Sequence, residues 1–141
     1  MIYLDYQATT PLAPEARDAM LRWLDGPDGS GFGNPHSAHP MGRQAAAAVE
    51  LARDQVAALF PPSGRVIFTS GATEAINLVA YSYPKKGRVL LSQLEHHSNI
   101  VPWQLAGWQV DVCPLTEDGR IDLDAAEKML TPEHEMVAFA H

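Results

Sequence analysis

The sequence is short of several things that would mark other kinds of protein. Its 141 residues contain a single cysteine, Cys113, so no internal disulfide can form and the chain suits a reducing compartment. No run of 18 apolar residues occurs, and no basic stretch leads into a short apolar one as in a secretory signal; the expectation is a soluble, cytoplasmic protein that does not span a membrane. Basic residues are scarce, with 10 Lys and Arg against 17 Asp and Glu and a net charge of -7, which argues against nucleic acid as the main partner because phosphate backbones need clustered cations. A local basic pocket remains compatible with that balance. Neither a G-x-G-x-x-G fingerprint nor a Walker loop is present, so a dinucleotide or a triphosphate is not favoured. The six histidines lack H-E-x-x-H spacing and cysteine pairs, and no metal is expected. There is no internal repeat, and the one biased stretch, AAAA from Ala45, is simply good helix former.

What is present divides near Pro61, Pro62, Ser63 and Gly64. Residues 1–62 read as helices and loops. From Pro14, the apolar positions Ala16, Ala19, Met20, Trp23 and Leu24 keep helical spacing, with proline where a first turn tolerates it. The Gly- and Pro-rich stretch from Asp25 to Pro40 excludes a regular element. A second helix is expected from Gly42 to Phe60, with Ala45, Ala48, Val49, Ala52, Val56, Leu59 and Phe60 as a packing stripe.

Residues 63–141 alternate strands and helices. Candidate strands are RVIFT at Arg65, RVLLS at Arg88, QVDVC at Gln109 and MVAFA at Met136. Between them, Ala72, Ala75, Ile76, Val79, Ala80 and Tyr83 keep helical spacing, as do Leu123, Ala126 and Leu130 after the candidate cap Asp122. This alternation predicts an α/β fold with a mostly parallel sheet flanked by helices.

Two segments carry candidate chemistry. In FTSGATEAINL, Phe68 to Leu78, Gly71 sits where a helix cap is expected, and the first turn at Ala72, Thr73 and Glu74 offers unpaired backbone N–H groups at the positive end of a helix dipole. Those donors, with the Thr73 hydroxyl, suit a phosphate; a tight turn explains the glycine equally well. Glu74 stands three residues after Gly71 and is expected to reach back as half of a capping interaction. LEHHSNIVPW, Leu94 to Trp103, follows the RVLLS strand, and loops after neighbouring parallel strands share one edge. An imidazole there, His96 or His97, can stack on an aromatic ligand or move a proton near neutral pH, or the pair can be structural. YLDYQATTPL from Tyr3 and GFGNPHS from Gly31 mix Gly, Pro, Asn and Thr with aromatics, as loops bordering a site do and as turns alone also do.

Together YLDYQATTPL, GNPHS, FTSGATEAINL and EHHSNIVPW resemble, in order and spacing, the cysteine desulfurases of the class V aminotransferase group. The last motif is more similar to the selenocysteine-lyase-like subgroup, the first to the housekeeping and nitrogen-fixation subgroup. The resemblance implies the amino-terminal part of the large domain of fold-type I pyridoxal 5'-phosphate enzymes, with 1–62 bordering the active site and 63–141 beginning the cofactor-binding domain. It implies that Gly71, Ala72 and Thr73 hold the cofactor phosphate, that His96 stacks on its ring and shuttles protons, and that Ala8, Thr9 and Asn34 border the substrate side. His97 matches no role. The implied reaction turns L-cysteine into L-alanine and passes sulfur to an enzyme cysteine for iron–sulfur cluster assembly, by a homodimer that delivers to an acceptor or scaffold protein.

Three of that chemistry's requirements, the imine-forming lysine, the acid partner of the ring nitrogen and the nucleophilic cysteine, have no match. The family's lysine follows a Ser-Gly-His segment absent here, and Lys85, Lys86 and Lys128 read as surface residues. Cys113 ends a strand and reads as a packed thiol, not the mobile nucleophile. The sequence thus reads as roughly the amino-terminal third of such an enzyme, inactive alone. Alternatives are an interaction half completed by another chain, or another class V enzyme such as a selenocysteine lyase. MVAFA, expected as an interior strand, leaves an apolar edge, so the chain is expected to be oligomeric or marginally stable, and a monodisperse, cooperatively melting monomer would contradict this.

Overall fold

The computed structural model describes residues 2–6, 8–29, 31–60 and 64–140; the expected break at Pro61 to Ser63 lies outside them, as do Gln7 and His141. The chain forms two compact units, Met1–Ile67 and Phe68–His141.

The first unit carries α1 (Pro14–Leu21) and α2 (Pro40–Ala57). Each begins with proline in its first turn, where the missing N–H costs nothing. The His39 imidazole caps α2 by accepting the Gly42 N–H at Nδ1 (3.2 Å). Both helices end earlier than their apolar spacing predicts. Trp23 N–H and Leu24 N–H donate to Met20 and Leu21 carbonyls three residues back, and Leu59 and Phe60 do the same to Val56 and Ala57, so each final turn tightens instead of continuing. The α2 stripe is also less buried than expected: Ala45 is enclosed, but Leu59 and Phe60 are exposed. Ala45, Ala48, Val49 and Ala52 instead line an open groove with Trp23, Gly33 and Pro35.

The GNPHS turn is fastened to the start of α2 by close backbone approach. A Cβ on Gly42 would lie 2.2 Å from the Ser37 carbonyl oxygen and 2.8 Å from that of Asn34; Gly33, at φ +143°, has the Met41 carbonyl 2.7 Å from its own Cβ position. These are backbone atoms, which a flexible side chain cannot relieve.

The second unit orders α3 (Ala72–Ser82), β1 (Arg88–Ser92), a 3-10 turn (His97–Asn99), α4 (Val101–Leu105), β2 (Gln109–Cys113), α5 (Leu123–Met129) and β3 (His134–Ala138). The sheet runs β2-β1-β3, all parallel, with Val89 opposite Val110 and Met136, and Leu91 opposite Val112 and Ala138. β1 is central and its Val89, Leu90 and Leu91 are fully buried, which explains an unbroken apolar run where a half-exposed strand would alternate. Period-two geometry sends Val89 and Leu91 into a cluster with Ala80, Trp103 and Trp108, and Leu90 into another with Cys113 and Ala126. Helices α3 and α4 thus cover one face and α5 the other. Asp122 caps α5 as expected, its Oδ1 accepting the Ala125 N–H at 2.9 Å.

Two strand expectations need correction. Residues 65–69 form no strand: the segment is β-branched and apolar, but among the described residues no ladder pairs with it. β3 begins at His134 rather than Met136, because a register irregularity beside Arg88 and Val89 lets the polar His134 join the ladder.

The carbonyl end of α3 is closed by a side chain. Lys86 Nζ donates to the Ala80, Tyr81 and Tyr83 carbonyls (2.6, 2.9 and 3.0 Å), and its charge sits 5.7 Å from the Trp108 ring centroid. The Trp108 Nε1–H donates to the same Ala80 carbonyl at 2.8 Å.

At an ordinary helical position, Gly→Ala gains about 1 kcal/mol. At Gly42 the contact with backbone oxygens reverses that sign, and Gly42→Ala is expected to destabilise the first unit by about 1–3 kcal/mol. Urea denaturation followed by circular dichroism checks this; an unchanged or raised midpoint would show that the turn does not press on α2.

Candidate functional site

Gly71 caps α3 in an extended conformation, with nothing within 4 Å of the space beside it. The Ala75 N–H takes up the Gly71 carbonyl, but the N–H groups of Ala72 and Thr73 have no protein acceptor among the described residues, as a first helical turn requires. Ala72, Thr73 and Glu74 are exposed. Glu74 does reach back, but one residue further than the cap: Oε2 accepts the Ser70 N–H (2.7 Å) and the Ser70 hydroxyl (2.6 Å), which hold its carboxyl below the usual range. The Thr69 hydroxyl donates to the Gly71 carbonyl at 3.1 Å. The corner is thereby braced from its own side chains while the donors of Ala72 and Thr73 stay open. That is the arrangement an oxyanion needs: fixed N–H groups and a positive dipole end, with no side chain in the way.

α3 descends into β1, so its first turn lies at the carboxyl edge of the sheet, where β1 delivers the loop carrying His96; the 3-10 turn after His96 packs on α3. The His96 Nδ1 accepts the Ser98 backbone N–H (3.2 Å) and lies 2.9 Å from the Ser98 hydroxyl. A backbone N–H can only donate, so Nδ1 is the acceptor and the neutral ring carries its proton on Nε2. The exposed ring of His96 lies 6.1 Å from that of His97 at 45°.

The residue before His96 carries an interaction that sequence reasoning missed. Glu95 is 8% exposed, and its carboxylate takes three donors: the Ser92 hydroxyl (2.7 Å) and Ala140 N–H (2.9 Å) on Oε1, and the Asn99 Nδ2 (2.7 Å) on Oε2. Asn99 also donates to the Ala138 carbonyl (3.1 Å) and accepts the Trp103 Nε1–H (3.0 Å). Burial alone pushes the Glu95 carboxyl up; the three donors outweigh it and bring it below its ordinary value. The signal was available as Glu95, Asn99 and Trp103 at successive i, i+4 positions, though nothing local points to Ala140.

Ala8, Thr9 and Asn34 belong to the first unit. The Ala8 and Thr9 N–H groups both donate to the Asp5 carbonyl (3.1 and 3.4 Å), and the Asn34 side chain accepts the His36 N–H (2.9 Å), so all three take part in turns. Cys113 is wholly buried beside the Asp122 and Pro114 carbonyls, and burial, then Asp122, pushes its thiol up, which disfavours a thiolate. Lys85 pairs with Glu135, which keeps its ammonium above the usual range, and Lys128 lies exposed in the last turn of α5.

At the opposite, amino edge the charges are paired. Arg88 grips Asp111 through Nε and Nη2 (2.7 and 2.6 Å), and the buried His134 meets Asp111 through Nε2 (3.0 Å) while its Nδ1 accepts the Thr131 N–H (3.1 Å). Arg88 foremost holds the Asp111 carboxyl below its usual range.

The Aminotransferase class-V family profile matches residues 2–141, and the chain belongs to that family. Within it, the chain is 36% identical to the cysteine desulfurase IscS of Dictyoglomus turgidum over 149 aligned residues, covering 99% of this chain and 37% of that protein. It is 40% identical to the mitochondrial cysteine desulfurase of Drosophila melanogaster, covering 97% of this chain and 31% of that protein. A NifS-like protein structure superposes with a TM-score of 0.80 at 28% identity, over 98% of this chain and 39% of that one. A cysteine desulfurase from Thermococcus onnurineus superposes with a TM-score of 0.75 at 25% identity, over 98% and 36%. The chain thus spans under two-fifths of the length of these relatives, and its helices and small parallel sheet are those of the amino-terminal part of a fold-type I enzyme. Among the described residues no helix is long and apolar enough to cross a membrane.

Glu95 and Asp111 both titrate below their unfolded values of about 4. The unfolded chain therefore binds more protons in the acid range, so their stabilisation is present above about pH 4 and is lost as pH falls through the folded values. A urea midpoint series from neutral to acid pH should fall there, and Asp111→Asn should flatten that fall; an equally steep acid limb in the variant would discount the Arg88 and His134 pairing.

Proposed function

We propose that this chain supplies the phosphate-binding and ring-stacking side of a pyridoxal-phosphate-dependent cysteine desulfurase. The observation that carries the reading is the open pair of N–H donors at Ala72 and Thr73, at the same sheet edge as the exposed His96 imidazole. The fit to the cofactor is chemical. A phosphate dianion suits two unpaired N–H groups, a hydroxyl and a helix amino terminus, and the room beside Gly71 admits it. When bound, the cofactor supplies an electron-withdrawing ring that labilises bonds of an amino-acid substrate.

The chain's residues then have separate tasks. Ala72 and Thr73 hold the phosphate, with Gly71 leaving the approach clear. His96 stacks on the ring and offers the Nε2 proton, since Nδ1 is committed to Ser98. Ala8, Thr9 and Asn34 border the substrate. The substrate is L-cysteine, the products are L-alanine and a sulfur passed to a cysteine outside these residues, and the working enzyme is a homodimer that serves an iron–sulfur acceptor or scaffold. Names of the relatives support the reaction. The lone, buried thiol supports a reducing, cytoplasmic setting. Since Cys113 is buried, Lys85 and Lys86 are engaged in structure and Lys128 lies exposed on α5, the 141 residues alone should release no sulfide from L-cysteine; sustained turnover by them would overturn that part.

Ala72→Asp gives the sharpest test, because it moves two quantities in opposite directions. A carboxylate in the first turn favours α3 by about 0.3–1 kcal/mol. The same charge repels a phosphate, and about tenfold or greater loss of pyridoxal phosphate affinity is expected, corresponding to roughly 1.4 kcal/mol or more. Cofactor absorbance and thermal melting read the two together, and undiminished affinity would remove the phosphate from this corner.

A further inference from the structure

We propose that Glu95 is a positioning residue: its buried carboxylate fixes the loop that presents His96 and locks that loop to the exit of β3. The role in cofactor binding rests on the reading of His96 given above, but the lock stands on its own geometry.

Three donors converge on the two oxygens of Glu95, and none has an easy alternative. The Ala140 N–H can only donate. The Ser92 hydroxyl already accepts the Leu94 N–H at 3.2 Å, and so gives its own proton to the carboxylate. The orientation of the Asn99 amide is set from its far side: the Trp103 Nε1–H is donor-only, so Oδ1 must face Trp103 and Nδ2 must face Glu95 and the Ala138 carbonyl. Position 95 therefore has to accept at both oxygens, which an ionised carboxylate does and a carboxamide does not.

The partners are far apart in sequence and close together at one edge. Ser92 ends β1, Asn99 ends the 3-10 turn, and Ala138 and Ala140 mark where β3 leaves the sheet. Glu95 itself is the residue before His96. The exposed His96 ring hydrogen-bonds to Ser98, two residues on, and no distant group among the described residues hydrogen-bonds to it. Its placement is inherited from the Glu95 backbone. The carboxylate thus couples the seat of the imidazole to a second segment at the carboxyl edge.

The test uses Glu95→Gln in the whole 141-residue chain, with Asp111→Asn as a control that weakens the opposite, amino edge. Amide hydrogen exchange read by mass spectrometry should quicken by about tenfold or more at 93–99 and at Ala140 together in Glu95→Gln, the fold-change expected for losing a hydrogen bond to a charged group. Asp111→Asn should leave both segments as in the wild type. Pyridoxal phosphate affinity, read from cofactor absorbance, should fall about tenfold in Glu95→Gln and stay unchanged in the control.

Unchanged exchange in Glu95→Gln, or equal quickening in Asp111→Asn, overturns the lock. Coupled quickening with undiminished cofactor affinity overturns the positioning role. If the wild-type chain takes up no pyridoxal phosphate, it is the cofactor reading of this chain that falls, and the exchange comparison still decides whether Glu95 ties the two segments together.

Discussion

The carboxyl edge of this molecule depends on β1, a strand buried on both faces and hydrogen-bonded on both sides. Val89 and Leu91 are gripped by the α3 and α4 side, Leu90 by the α5 side, and β2 and β3 flank it in parallel register. A strand so enclosed has almost no freedom to shift, since a one-residue slip would exchange its two apolar faces. The loop it delivers inherits that rigidity and adds ties of its own. Gln93 N–H bonds the Cys113 carbonyl at the end of β2, and Glu95 and Asn99 bond the end of β3. His96 is therefore carried by a segment moored to three strands, although the imidazole itself stays exposed.

The two edges of the sheet treat charge differently. At the amino edge, Arg88, Asp111 and His134 satisfy one another, Lys85 meets Glu135, and Lys86 closes the carbonyl end of α3. Those groups are spent on structure and have little left for a ligand. At the carboxyl edge Glu95 is buried and takes three donors, while the N–H donors of Ala72 and Thr73 have no acceptor among the described residues. An anion arriving there meets donors already oriented by α3. Glu74, in the same first turn, is turned back onto Ser70.

How much of this was legible in the sequence depends on the range of the interaction concerned. β1 and β2 were readable from their own residues, and so was the Asp122 cap, because burial and capping leave local patterns. Residues 65–69 have equally good strand composition and form none, since a strand is a property of a pair and no partner lies among the described residues. β3 starts early at His134, which joins the ladder opposite Arg88 and meets Asp111 through its ring, contacts that its own neighbours do not announce. At the corner, composition indicated the open donors but misjudged Glu74 by one residue. Glu95 was invisible for a similar reason: a glutamate after a strand reads as solvated until Ala140, 45 residues on, is seen to bond it.

The same distinction bears on the proposed role, in which this chain would hold the phosphate side of a cofactor while the reactive lysine and the sulfur acceptor would lie elsewhere. Binding a phosphate needs only backbone donors and a helix end, which a single strand-to-helix corner provides. Forming a reactive amine or thiolate needs a side chain whose surroundings lower its pKa while leaving it free to move. Here the environments act in the opposite direction: Glu135 raises Lys85, the carbonyls of α3 occupy Lys86, and burial raises Cys113. Each of those groups stabilises the fold by the same interaction that makes it a poor nucleophile. What the described residues offer in their place is open N–H donors at Ala72 and Thr73 and an exposed imidazole at His96, on a loop that Glu95 ties to the end of β3.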